Sequence, residues 1–400
     1  MKTPKILAVA SAADLDFRYG CTPAWWQLWK GLYEAGVDLI VTAYRGRAVE
    51  SPWWRTAGNP LYHEAELFAK ARSLAARAKG DRYLRRAERD PGDTDKLVRE
   101  VVWRTVTPRW RRHLERILER ERDVDAVVVF TVPMSHFRGI PTALRERFGV
   151  PVVFYDGDVP MSLPEFGGMD TGFNYYFGAD PGEYDLVVSN SEGGLERLRE
   201  LGARRAEAVF WGVDPDFFFP HDVEKECDVF FYGYGDKFRR DWMHALVGEP
   251  SRRDPEIDFA LGGVDFRGDI GNARLLGDVP FNVFPRFISA ARLNVNITRH
   301  SHASVYASAT SRPFELAACA ATIVSNPYNG IERWFEPGRE LMVVNDADEA
   351  LATYRELLRD PAAAEEMGRR ARERVLEEHT FAQRARQLLD LIGIRAEVPV

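Results

Sequence analysis

The feature that most limits what this chain can fold into is a repeated alternation of short apolar runs with helix-length segments. The runs lie at 5–10 (KILAVA), 37–43, 126–132, 151–155, 184–189, 227–232, 257–261, from Leu293 through Val295 and Ile297, and at 341–344. They are rich in β-branched residues and apolar almost throughout, as strands covered on both faces must be. Helical segments fall between or after them. Trp25, Trp26 and Trp29 lie in one that ends near Gly36, residues 195–201 form another stopped by Gly202, and 287–291 a third. Residues 347–359 and 361–378 are rich in Ala, Glu and Arg, and 380–392 places Phe381, Ala385 and Leu388 at helical spacing. Such alternation predicts parallel sheets with crossover helices. At 400 residues the chain exceeds what one core usually serves, so two α/β halves are expected. No GxGxxG follows the first strand, so the dinucleotide fingerprint is missing.

Residues 46–122 interrupt the pattern. Trp53, Trp54 and Tyr62 lead into a segment, 64–89, that is helical by composition and is broken at Asp90-Pro91-Gly92-Asp93. Leu97, Val98, Val101, Val102, Val106, Trp110, Leu114, Ile117 and Leu118 then form an apolar helical stripe with a kink expected at Pro108. Net charge is −7, but 45–122 holds 20 Lys and Arg against 12 Asp and Glu, or +8, leaving −15 for the rest. That basic region is either the solvated face of helices or a surface for peripheral contact with an anionic acceptor or membrane. No apolar run approaches the roughly 18 to 20 residues of a membrane span, and the first strand starts with no signal-peptide core before it. Cys21, Cys227 and Cys319 are scattered without metal-type spacing. A cytoplasmic protein with no nucleic-acid partner and no metal site is the expectation.

Four places carry chemistry. After the run at Leu293, a polar loop holds Arg299, His300 and His302, and a helix opens at Arg312-Pro313-Phe314-Glu315. Glu315 either complements the helix dipole or accepts from two sugar hydroxyls while Arg299 and Arg312 face phosphates. The strand at 227–232 runs into Gly233-Tyr234-Gly235-Asp236-Lys237-Phe238-Arg239-Arg240, a glycine-rich turn with basic residues at a helix start, which suits a diphosphate. Asp156-Gly157-Asp158 ends the strand at 151–155 and reads as a turn-forming pair, a metal-diphosphate motif or an acid–base site. Asp16 and Gly20 in the loop after the first strand, with His136 after the strand at 126–132, are acceptor-side candidates.

The stretch from Leu293 through Arg312-Pro313-Phe314-Glu315-Leu316-Ala317-Ala318-Cys319, then Thr322-Ile323-Val324-Ser325-Asn326 and Gly330-Ile331-Glu332, resembles the donor-binding segment of group-1 glycosyltransferases, nearest to the CgeB-like (spore maturation protein) branch. Residues 184–191 with Glu196-Arg197-Leu198 and Gly202 resemble that family's last amino-domain unit, and 212–220 its interdomain crossing. The resemblance implies the GT-B arrangement: two Rossmann-like domains facing across a cleft, at 1–212 (with the insertion at about 46–122) and 213–378, and a helix at 379–400 returning to the first. It implies a donor site of Glu315 on the ribose and Arg312, Arg299, Lys237, Arg239, Gly233, Gly235, Pro313 and Phe314 around a nucleotide-diphosphate sugar. No other cofactor is expected. Asp156, and behind it Asp158, would handle the acceptor hydroxyl, since His or Asp holds the first of these positions in the family. The implied activity is metal-independent, retaining transfer of a sugar to an unknown hydroxyl. Many relatives carry a second acid where this chain has Ala307, which leaves inversion open. A nucleotide-sugar 2-epimerase and a non-catalytic nucleotide-binding subunit share the architecture.

Overall fold

The computed structural model describes residues 3–15, 23–67, 93–166, 175–235, 238–308 and 310–395, with backbone alone at 93–98 and 164. The expected helix at 64–89 lies largely outside these residues, as do most of the turn at 90–93 and Asp16, Gly20 and Lys237. The chain divides into two compact units, Met1–Val209 with Ala385–Val400, and Phe210–Arg384.

The first unit is built on a parallel sheet of β1 (Lys5–Ala12), β2 (Asp38–Arg45), β3 (Arg55–Gly58), β4 (Ala126–Phe130), β5 (Val152–Asp156), β6 (Leu186–Ser189) and β7 (Ala206–Ala208). Its order is β3-β2-β1-β4-β5-β6-β7. β1 sits between β2 and β4, with Leu7 opposite both Ile40 and Val127, and all of β4 and β5 is buried. Complete burial is why these strands read as continuous apolar runs. The region 46–122 is not wholly helical: β3 pairs with β2 at the sheet edge. The expected stripe is also divided. Two helices, Asp93–Thr105 and Thr107–Arg120, meet at Val106, and Pro108 sits in the first turn of the second, where its missing N–H breaks no bond. Trp110, Leu114, Ile117 and Leu118 face the core, whereas Val101 is exposed.

The second unit repeats the plan with β8 (Cys227–Tyr234), β9 (Phe259–Val264), β10 (Arg274–Gly277), β11 (Ala291–Asn296), β12 (Ile323–Ser325) and β13 (Met342–Val343), in the order β10-β9-β8-β11-β12-β13 and again parallel. Val229, Phe231, Leu293, Val295 and Val324 line one core with Leu246, Tyr354 and Leu357 from the covering helices. Helices Ala347–Arg359 and Pro361–Glu378 start at Asp346 and Asp360, whose carboxylates accept from Glu349 and Ala363 N–H. Both sheets are doubly wound. In that topology ligands lie beyond the carboxyl ends of the two neighbouring strands where the order reverses, here β1 and β4 in one unit and β8 and β11 in the other.

Candidate functional site

In the second unit, the loops after β8 and β11 meet at that reversal point. Arg239 Nε donates to the carbonyl of Ile297 at 2.8 Å, tying one loop to the other. β8 continues through Tyr234, further than its apolar run predicts, so Gly233 is in the ladder opposite Gly263. Gly233 has φ +150°, and a Cβ on Gly263 would stand 2.1 Å from the Gly233 carbonyl oxygen. A Cβ on Gly235 would meet the Phe266 ring at 2.1 Å. These glycines therefore serve close approach of backbone and ring, whatever else they admit.

Arg312 and Glu315 share the first turn of helix Arg312–Ala318. The Glu315 carboxylate is nearly closed to solvent, with 7% of the side chain exposed, and lies 3.4 Å from Arg312 Nη1. That contact is an ion pair without hydrogen-bond geometry. No donor among the described residues hydrogen-bonds the carboxylate, and Arg312 Nη1 is buried with no acceptor. The guanidinium is held on its flat faces instead, 4.3 Å from the Phe284 ring centroid and 4.9 Å from that of Tyr232. Burial pulls its pKa down while Glu315 and Tyr232 push it back, and it stays charged. Tyr232 is fixed in turn by its hydroxyl on the Val279 carbonyl. A buried carboxylate beside a half-buried guanidinium, with unused hydrogen-bonding capacity, is costly in isolation, which marks the pair for a polar ligand.

Around the pair, Asn326 accepts from Thr298 N–H at 2.8 Å and returns a bond to the Thr298 carbonyl, locking the loop after β11 to the end of β12. Asn296 donates to Ser325 Oγ at 2.9 Å in the same layer. Pro313 is buried, and Phe314 packs against Trp334, Phe335 and His379. Phe314 therefore anchors the helix from its protein side rather than lining a ligand surface. Ala307 is fully buried with φ 48°, so the loop presents no carboxylate there.

In the first unit, Asp156 ends β5 with no exposed surface. Its oxygens accept from Asp158 N–H at 2.9 Å, the Ser162 hydroxyl at 3.1 Å and the Tyr176 hydroxyl at 2.7 Å. Burial pushes its pKa up to about 6 against the pull of these donors. With no exposed surface and three donors on its oxygens, this carboxylate organises its own loop. Asp158 is half-exposed at the start of the short helix Val159–Ser162. His136 is also buried: its Nδ1 meets the Tyr44 hydroxyl, its carbonyl accepts from Thr107, and burial lowers its pKa to about 4. Tyr176, Ser162, Tyr232 and Phe284 were invisible to sequence reasoning, because their partners lie far along the chain and no spacing marks them.

Residues 239–390 match the model of a family described as glycosyl transferase-like. No curated protein matches the chain by sequence. Solved structures match it over nearly its full length. Sucrose-phosphate synthase from Thermosynechococcus elongatus superposes with a TM-score of 0.66 at 16% identity, covering 97% of this chain and 98% of the other. Anabaena HepE in complex with UDP and glucose gives 0.61 at 10% identity over 98% and 99%, and T4 phage BGT in complex with UDP and Mn2+ gives 0.57 at 13% over 98% and 100%. The fold is GT-B. The matched stretch falls mostly in the second unit and includes the Arg312–Glu315 pair. Among the described residues, no group of three or more His, Cys, Asp and Glu could hold a metal ion, and no helix is long and apolar enough to cross a membrane.

Proposed function

We propose that this chain is a nucleotide-sugar-dependent glycosyltransferase of the CgeB-like branch of group 1. The observation that carries the reading is the pairing of the buried Glu315 carboxylate with the half-buried Arg312, with open hydrogen-bonding capacity on both partners. Glu315 accepts from the two ribose hydroxyls, charge-assisted bonds of the stronger kind. Arg312, Arg299, Arg239 and Lys237 surround the diphosphate and offset the charge that develops on it as the bond from the anomeric carbon to the phosphate oxygen breaks. The new bond forms between that carbon and an acceptor hydroxyl, which a carboxylate orients while its proton passes to the departing phosphate oxygen. Asp158, with its partial exposure, fits that task, and Asp156 holds the turn that presents it. UDP-sugars are the first donors to test, since HepE and BGT are structures in complex with UDP. The transfer is metal-independent and retaining, and peripheral membrane contact runs through the basic 45–122 region.

The test is a melting screen with UDP, GDP, dTDP, ADP and CMP and their common sugars, followed by donor turnover. A ligand at about 100 times its dissociation constant adds roughly 2.7 kcal/mol, a resolvable shift. A shift with one diphosphate and release of that diphosphate from its sugar is the expected result. No shift with any of them would remove the reading. A second reading, a non-catalytic nucleotide-binding subunit, has one observation in its favour, the buried Ala307 where relatives carry an acid. It is distinguished by binding without turnover. A 2-epimerase would convert the donor with no acceptor present.

A further inference from the structure

Tyr306 lies in the connection between β11 and helix Arg312–Ala318 and is 40% exposed. Its neighbours are not: Val305, Ala307 and Ser308 are all buried. The chain turns this way because Ala307 has φ 48°, in the left-handed region that an alanine adopts only at a cost. Such a conformation persists where the surroundings over-determine it.

Here the surroundings are the loop after β12. Ala307 N–H donates to the Asn329 carbonyl at 3.0 Å, and Asn329 N–H to the Ala303 carbonyl at 2.9 Å, so the two loops are bonded on both sides of Tyr306. Gly330 has φ +84°, and a Cβ there would stand 2.5 Å from the Ala307 nitrogen and 2.8 Å from its Cα. Only glycine lets the loops approach this closely. Val305 N–H donates to the His302 carbonyl at 3.3 Å, which closes the short helix His300–Ser304 just before the tyrosine. The backbone around Tyr306 is thereby fixed, with one aromatic ring standing out of it.

A single exposed aromatic is ordinary on a protein surface. Place and presentation set this one apart. It sits at the ligand end of the second sheet, in the segment that begins with Arg299 and ends on Arg312 and Glu315. A strained and clamped backbone presents it, rather than a free turn. A tyrosine held so offers a wide contact face with few side-chain torsions left to fix. With Glu315 on the ribose and the arginines on the diphosphate, the part of the donor without a partner is the transferred sugar. A sugar ring carries hydroxyls on its rim and C–H groups on its face, and the negative face of an aromatic ring suits those C–H groups. We propose that Tyr306 is a donor-binding residue whose ring packs against the C–H face of the transferred sugar. The proposal rests on the nucleotide-sugar reading of this site.

The experiment compares each sugar nucleotide with its parent diphosphate, so that the sugar is read separately from the nucleotide. UDP-glucose, GDP-mannose, dTDP-glucose and ADP-glucose, and UDP, GDP, dTDP and ADP, are titrated calorimetrically into the wild-type chain, Tyr306→Phe and Tyr306→Ala, with melting curves for each protein. For the sugar nucleotide that wild type binds, Tyr306→Ala is expected to weaken affinity by about five- to tenfold, while affinity for the parent diphosphate stays within about twofold. Tyr306→Phe keeps the ring face and stays within about twofold of wild type for both. Equal losses for sugar nucleotide and diphosphate in Tyr306→Ala, no loss for the sugar nucleotide, or a loss in Tyr306→Phe as large as in Tyr306→Ala would each overturn the proposal and leave the nucleotide reading standing. So would a wild-type chain that binds a diphosphate and none of the four sugar nucleotides. A wild-type chain that binds none of the eight compounds would overturn both.

Discussion

The two units share one topology yet treat a buried carboxylate in opposite ways. Asp156 in the first takes three donors from its own neighbourhood, while Glu315 in the second meets a single guanidinium without a hydrogen bond. Burial is nearly equal, at 0% and 5% exposed, so burial alone does not distinguish them. What differs is satisfaction. A carboxylate whose lone pairs are engaged inside the fold holds structure, and one whose lone pairs are open is prepared for something not yet bound. The same contrast separates the basic residues: Arg239 bonds a carbonyl across two loops, and Arg312 keeps a buried N–H without an acceptor.

Removing the organising carboxylate should give the largest effect. Asp156→Ala leaves a backbone N–H and two hydroxyls buried without their acceptor, and each such group costs about 1–3 kcal/mol. A loss of roughly 4 kcal/mol in chemical denaturation is expected, and an unchanged midpoint would break the comparison. Asp156→Asn is the gentler variant, since Tyr176 can turn its hydroxyl to accept from the new amide.

That variant also sharpens the comparison through pH. Burial raises Asp156 to about 6 from an ordinary 3.8. The folded state therefore holds this proton more tightly than the unfolded chain does. Its stabilising contribution is full below about pH 4 and is lost as pH rises through about 6, by an amount on the order of 3 kcal/mol. Denaturation midpoints of wild type and Asp156→Asn should diverge across that window and run parallel above it. Parallel curves throughout would mean that Asp156 does not titrate as its burial requires.

Glu315→Gln should act on binding. The amide keeps one acceptor and loses the charge, so affinity for the diphosphate found in the melting screen should fall by roughly ten- to a hundredfold, or about 1.4–2.8 kcal/mol. Titration calorimetry reads the loss, and the apo melting temperature should move little. Equal affinity in the variant would make Glu315 a helix-end charge and nothing more. The smallest effect expected is from chelation. EDTA should leave nucleotide affinity and turnover within about twofold. A loss that Mn2+ restores would give Asp156-Gly157-Asp158 a metal role and reverse the assignment of the satisfied site to structure.

Much of the architecture was open to reading because it is local. Strands buried on both faces are apolar throughout, and aspartates that cap helices, such as Asp346 and Asp360, stand next to the segments they start. The Arg312-Pro313-Phe314-Glu315 turn was visible for the same reason, its members being one helical turn apart. The edge strand β3, with one exposed and three half-exposed residues, carries no periodic signal, and the stripe at 97–118 reads as one kinked helix because a proline in a first turn and a proline inside a helix look alike in one dimension.

The chain by itself determined two α/β halves, their strand and helix succession, and the residue types at the strand ends. Only the tertiary structure decided which of those residues are already satisfied. Tyr176 reaches Asp156 from another loop, and Phe284 and Tyr232 enclose Arg312 from two other elements. Hydrogen bonding is a matter of ångströms and angles between groups brought together by packing, and no spacing along a sequence carries it.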